Sequence, residues 1–251
     1  MDHRGKVRNC LQNCLIVIFT SVLIFCGYKI IPQLIDGYKS NKEKDAIADV
    51  IDKNSLKKAF TQETFDSLKS ENSELVGYLK FDSEILATPV VQAKDNNYYL
   101  RRSFYKEYNE LGIPFMDASC TTNSQNIVIY GHNVYYDDTA MFSPLSFLED
   151  QKMFEENQTF KFYIDGEVRS YKITNIYEID TSIDSFEFQR PNFENEEDFE
   201  NWYSVPTINN LIKTNDSITY TDNFITLQTC KRFYQNTRIL IIAKELSRET
   251  Y

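Results

Sequence analysis

Between Leu11 and Ile31 the chain is largely apolar, and its densest part, Cys14 to Gly27, reads Cys-Leu-Ile-Val-Ile-Phe-Thr-Ser-Val-Leu-Ile-Phe-Cys-Gly. A helix of about 20 residues, rising 1.5 Å per residue, covers a bilayer core of roughly 30 Å. Thr20 and Ser21 are tolerable inside such a span, and Lys29 can extend its ammonium to the interface. Arg4, Lys6 and Arg8 precede the segment and no small-x-small cleavage motif follows it, so an uncleaved signal anchor is expected. The basic flank favours an inside N-terminus, although Lys39, Lys42 and Lys44 blunt the asymmetry. The globular part is therefore expected outside the cytoplasm.

From Asp36 to Asn72 the sequence is polar, with apolar residues at helical spacing: Ala46, Ile47 and Val50, then Leu56, Ala59 and Phe60, then Phe65 and Leu68. Two helices are predicted, with Asn54 or Ser55, and Thr61 or Thr64, as capping candidates. From Ser73 the texture changes to short β-type runs. These are Leu75–Phe81, Ile85–Gln92, Ile113–Met116, Ile127–Tyr130, Phe160–Ile164, Ser170–Ile179, Ser217–Thr221, Phe224–Thr229 and Ile239–Ala243, parted by Asn, Asp, Ser and Gly. So many strands predict one mainly β domain, a barrel or a sandwich. Two helical insertions interrupt it: Ser143–Phe154, with Leu145, Leu148 and Phe154 as its buried stripe, and the acidic Glu194–Tyr203, with Phe199, Trp202 and Tyr203 on one face. The acidic run reads as a solvated helix face.

Thr226-Leu-Gln-Thr-Cys230 ends one strand, and Arg238 begins the next after the polar loop Lys231–Thr237. Cysteine and arginine are thus expected to face each other across a loop mouth, where a cation favours a thiolate. Most strand-end cysteines are structural, so this pair alone decides little. Of two histidines, His3 lies in the basic tail, which leaves His132 at the end of the apolar run Asn126-Ile-Val-Ile-Tyr-Gly-His132. A strand-end histidine and a strand-end cysteine are the minimum for thiol catalysis.

A net charge of −10 argues against nucleic acid as a partner, because phosphate binding needs a basic footprint. Cys10, Cys14 and Cys26 fall in or beside the apolar span, so Cys120 and Cys230 give no disulfide framework. One histidine beyond the span offers no Cys/His metal spacing. No metal or other cofactor is expected; stimulation by calcium that a chelator abolishes would defeat this.

Several segments taken together resemble a class B sortase, a membrane-anchored cysteine transpeptidase of Gram-positive cell walls. They are Leu75-Val-Gly-Tyr-Leu79, Pro89-Val-Val-Gln92, Asp95-Asn-Asn-Tyr-Tyr-Leu100, Gly112-Ile-Pro-Phe-Met-Asp117, Ile129-Tyr-Gly-His-Asn133, Met141-Phe142, and Thr226–Cys230 with Arg238. Each tetrapeptide is weak evidence; their order and the apolar anchor are strong. The resemblance runs from about Ser73 to Leu246 and implies an eight-stranded sortase β-barrel with N-terminal helices and helical insertions, preceded by one transmembrane helix. It divides the chain into a cytoplasmic tail (1–9), a signal anchor (10–31), a helical stalk (32–72) and a catalytic barrel (73–251).

It also implies roles. Cys230 would attack the carbonyl of a threonine in a C-terminal sorting signal, His132 would protonate the departing amine, and Arg238 would hold the carbonyl oxygen. Asn96 and Leu100 match residues lining the family's signal groove; Tyr130, Gln228 and Thr229 flank the catalytic pair. Implied partners are surface proteins bearing the signal, a peptidoglycan precursor or cell-wall peptide amine, and the cell membrane. Two departures are visible: Gln228 stands where serine is common, and Lys231 where acidic residues also occur, so signal preference does not carry over.

Two other classes fit parts of the sequence. Gln228-Thr-Cys-Lys-Arg232 echoes the caspase nucleophile motif, but the following glycine and the alternating α/β pattern are missing, and a papain-like protease would place cysteine before histidine. A cysteine peptidase needs no amine acceptor, which separates it by its products. A non-catalytic surface scaffold on a membrane stalk would keep its function without Cys230.

Overall fold

The computed structural model describes residues 3–53 and 60–250. It contains two units, residues 1–39 and 40–251. Helix α1, His3–Lys53, carries the apolar segment and continues past it without a break at Pro32. An 18-residue window within it has a mean hydropathy of 2.3 and no buried residue, so by length and composition it is able to cross a membrane. The first predicted stalk helix is therefore the continuation of the apolar helix. The candidate caps Asn54 and Ser55 lie outside the described residues.

In the larger unit, α2 (Gln62–Glu71) is capped by Thr61, whose Oγ1 accepts from Thr64 N–H at 3.3 Å. Its Phe65 and Leu68 join Ile47 and Phe60 in a buried cluster with Leu75, Tyr78 and Val91. The strands are β1 (Leu75–Phe81), β2 (Ala87–Val91), β3 (Phe115–Met116), β4 (Asn126–Tyr130), β5 (Thr159–Ile164), β6 (Glu167–Asp180), β7 (Phe224–Cys230) and β8 (Thr237–Thr250). They close a barrel in the order β1-β2-β3-β4-β7-β8-β6-β5. β5 shows the alternation of a strand with one face inward, burying Phe160, Phe162 and Ile164. β7 is buried on both faces over most of its length, as expected for a strand lying parallel to β4 within the sheet.

The insertions fold as expected. A 3₁₀ segment (Ser143–Glu149) and α3 (Gln151–Glu156) bury Leu145, Leu148 and Phe154. Helix α4 (Glu196–Ile208) is capped by Asn195, and Glu196, Glu197 and Asp198 in its first turn complement the helix dipole. Phe199 and Trp202 face the core, while Glu196, Glu197 and Glu200 are exposed.

One predicted strand is absent. Ser217–Thr221 forms a loop, because its backbone donors go to side chains: Ile218 N–H to Tyr203 Oη at 3.1 Å and Thr219 N–H to Asp222 Oδ2 at 2.8 Å. Ile85 and Leu86 belong to the turn before β2, where Glu84 takes a φ of 63°.

Candidate active site

β4 and β7 run parallel, and their last paired residues are Tyr130 and Gln228. Just beyond, Gly131 N–H donates to the Gln228 carbonyl at 3.0 Å. This pairing brings His132, which follows β4, to the same end of the barrel as Cys230, the last residue of β7. Cys230 is in turn paired with Arg238 of β8. The loop mouth anticipated between cysteine and arginine is therefore present.

A cleft of about 380 Å³ opens here, walled by Asn96, Leu100, Tyr130, His132, Gln228, Cys230 and Arg238, with Ile113, Phe115, Gly131 and Gln189. Thr229 is absent from the wall. It is fully buried and its Oγ1 donates to the Gly131 carbonyl at 2.9 Å, so alternation along β7 turns it away from the cleft.

The His132 Nε2 lies 2.9 Å from the Leu100 carbonyl oxygen. A carbonyl only accepts, so Nε2 carries hydrogen and Nδ1 is the nitrogen that gains and loses a proton. Burial pushes the imidazole pKa below its ordinary 6.5, partly offset by the bond to Leu100. A histidine NMR titration of Cys230→Ala should therefore give a His132 midpoint below 6.5; a midpoint at or above it would contradict this environment. The unfolded chain protonates first as pH falls, so this site's contribution to stability is complete above 6.5 and is lost as pH falls through the folded midpoint.

The Arg238 guanidinium donates through Nη1 to the carbonyls of Gln235 (2.9 Å) and Thr237 (3.2 Å). Among the described residues, its Nε and Nη2 hydrogens remain uncommitted. Elsewhere on the cleft wall, Tyr130 Oη donates to buried Asp117 Oδ2 at 2.5 Å, and Asn96 Nδ2 donates to the same oxygen at 2.9 Å. Burial alone would raise the Asp117 pKa. Hydrogen bonds from Ser119, Tyr130 and Asn96 outweigh it and hold the carboxyl below its ordinary value. Tyr130 and Asn96 are thus fixed from beneath by one carboxylate.

Lys231, next to the cysteine, bonds to Glu178 and lies 3.5 Å from Glu149. Burial and the Glu178 neighbour push the Glu149 carboxyl up to about 7. The lysine at this position therefore sits between a carboxylate of β6 and one of the 3₁₀ segment.

Gly131 is required for steric reasons. A Cβ there would lie 2.4 Å from Cγ of Phe142, whose ring is fully buried. Gly131→Ala should destabilise the fold by about 1–3 kcal/mol; urea unfolding with an unchanged midpoint would refute this.

Sequence reasoning missed Gln189 and the Leu100 carbonyl. Gln189 lies in an irregular segment with no periodicity, pinned where Asn126 Nδ2 donates to the Phe188 (3.3 Å) and Arg190 (2.9 Å) carbonyls. Among the described residues, no cluster of His, Cys, Asp or Glu side chains has the makings of a metal site.

The sortase domain family matches residues 85–246. The chain belongs to the sortase family. Sortases are cysteine transpeptidases, and this chain is an enzyme of that kind. Sortase B of Staphylococcus aureus is 26% identical over 233 residues, covering 91% of this chain and 93% of that protein. The fold resembles a Staphylococcus aureus sortase B–substrate complex, with a TM-score of 0.72, 25% identity and coverage of 86% of this chain and 99% of that one. A sortase B complexed with triglycine gives the same score, identity and coverage. These relatives agree with the class B sortase read from the motifs, and the closed eight-stranded barrel is the sortase B fold.

Proposed function

We propose that this sortase cleaves a C-terminal sorting signal after threonine, holds the protein as a thioester on Cys230, and transfers it to a cell-wall peptide amine. The observation that carries this reading is the convergence of His132, Cys230 and Arg238 on one cleft. Cys230 gives its thiol proton to His132 Nδ1 as Sγ adds to the threonine carbonyl carbon, and Arg238 donates to the oxygen as charge develops there. Collapse of the tetrahedral intermediate breaks the C–N bond, with the departing amine taking a proton from His132 Nδ1. An incoming amine then attacks the thioester and gives a proton to the same nitrogen, which returns it to Cys230 Sγ as the C–S bond breaks. Asn96, Leu100, Tyr130 and Gln228 would contact the signal peptide. Thr229 stands behind them, where its hydroxyl holds the Gly131 carbonyl.

The substrate complex of the Staphylococcus aureus enzyme supports a peptide donor, and the triglycine complex of a sortase B supports a glycine-type amine acceptor. The apolar segment of α1 supports anchoring in the cell membrane, with residues 1–9 inside, 10–31 spanning, 32–72 as a stalk and 73–251 as the catalytic domain outside.

The test mixes the full chain in detergent with a library of sorting-signal peptides, with and without amine acceptors, and reads intact mass. The expected products are an acyl adduct mapped to Cys230 and an amine-ligated peptide. Cleavage without ligation by any acceptor would identify a peptidase, and no adduct with any peptide would remove the reading.

A further inference from the structure

Past the last backbone pair of β4 and β7, three hydrogen bonds keep the two strand ends together. Gly131 N–H donates to the Gln228 carbonyl at 3.0 Å, Thr229 Oγ1 to the Gly131 carbonyl at 2.9 Å, and Asn133 Nδ2 to the Cys230 carbonyl at 2.8 Å. Side chains continue the sheet where main-chain pairing stops. The last of these bonds joins the residue beside His132 to the nucleophile's own carbonyl.

The same peptide unit is held from the other side, where Lys231 N–H donates to the Thr237 carbonyl at 2.9 Å. Asn133 is itself well anchored. It bridges to Met141 through the main chain, and the His132 carbonyl accepts from Phe142 N–H at 2.9 Å. Its other amide atom, Oδ1, is buried with no hydrogen-bond partner among the described residues. Buried polar atoms are ordinarily paired, so an orphan at this point calls for an explanation. Turning the amide over would set oxygen against the Cys230 carbonyl oxygen, which is worse. The orphan is the consequence of directing Nδ2 at Cys230.

We propose that Asn133 is a positioning residue for the sortase reaction, its side-chain amide tying the Cys230 carbonyl to the His132 loop so that thiol and imidazole stay in register. The proposal rests on Cys230 as nucleophile and His132 as acid and base. Asn133 is not among the residues of the cleft wall and acts through Cys230. Without the tie, the Cys230 carbonyl loses its direct link to the histidine loop, and small misplacements of reacting groups slow chemistry steeply.

The test compares Asn133→Ala and Asn133→Asp with the parent in the full chain. It measures the rate of acyl-adduct formation from an intact signal peptide that the parent cleaves, between pH 5 and 8, together with unfolding midpoints. Asn133→Ala should slow the adduct step about 10- to 100-fold with KM changed less than about threefold. Asn133→Asp has nearly the same shape but, ionised, accepts only. It should be as slow as Asn133→Ala at pH 8, and its rate relative to the parent should rise as pH falls and the carboxyl regains a donor hydrogen. That pH-dependent recovery remains readable if the alanine variant fails to fold. Adduct rates within about twofold of the parent for Asn133→Ala would overturn the proposal. So would a flat Asp-to-parent ratio accompanied by lowered unfolding midpoints, which marks a purely structural role. Adduct formation that persists in Cys230→Ala would instead remove the underlying assignment of the nucleophile.

Discussion

Cys230→Ala should lower transpeptidation by on the order of 10³-fold or more, with little change in the unfolding midpoint. The separation of these effects comes from where the residue sits. Cys230 closes β7 at the edge of a cleft, and its pairing with Arg238 is made by main-chain atoms that alanine retains. What is lost is the sulfur, the only thiol on the cleft wall among the described residues. Cys120 cannot replace it. That side chain is 3% exposed, burial pushes its thiol up to about 11, and Sγ lies 3.5 Å from both the Asn126 carbonyl and Val128 N–H. Cys120→Ala should therefore keep turnover while losing some stability. Transfer activity in Cys230→Ala within about tenfold of the parent would mean that another group forms the acyl-enzyme.

Arg238→Ala is expected to lower kcat by about 10²- to 10³-fold, the size associated with losing one donor to a developing oxyanion. Arg238→Lys should recover little of this despite keeping the charge. The planar fork lets Nη1 hold the Gln235 and Thr237 carbonyls while Nε and Nη2 keep their hydrogens for a substrate oxygen, whereas an ammonium cannot span both duties. Loss of the Nη1 bonds also loosens the segment after Cys230, so part of the effect should appear in KM. Steady-state rates for both variants check this. Turnover in Arg238→Ala equal to the parent would take the guanidinium out of the chemistry.

Much of the fold was legible because the barrel strands carry their burial in the sequence. Phe160, Phe162 and Ile164 alternate with polar neighbours, and β1 begins and ends where its apolar run does. Ser217–Thr221 misled because β-branched residues favour strands only when a partner edge is available, and here Tyr203 and Asp222 capture the donors first. The cleft's three charged or nucleophilic side chains were legible from strand ends and from the resemblance to known motifs. The Leu100 carbonyl was not, since a main-chain acceptor leaves no residue-type signal. Asn133 was equally hidden. Its bond to Cys230 spans 97 residues and depends on how two strand ends meet, which no local pattern encodes.

The parallel pairing of β4 with β7 has one more consequence. Such contacts join distant parts of a chain and form only after intervening segments have collapsed. A molecule in which these strands have not yet met would still expose a thiol open to small electrophiles, but it would have no imidazole beside that thiol. Labelling of Cys230 therefore counts polypeptides, whereas acyl transfer counts completed barrels. The quotient of the two is a direct assay of how much of a preparation has finished folding.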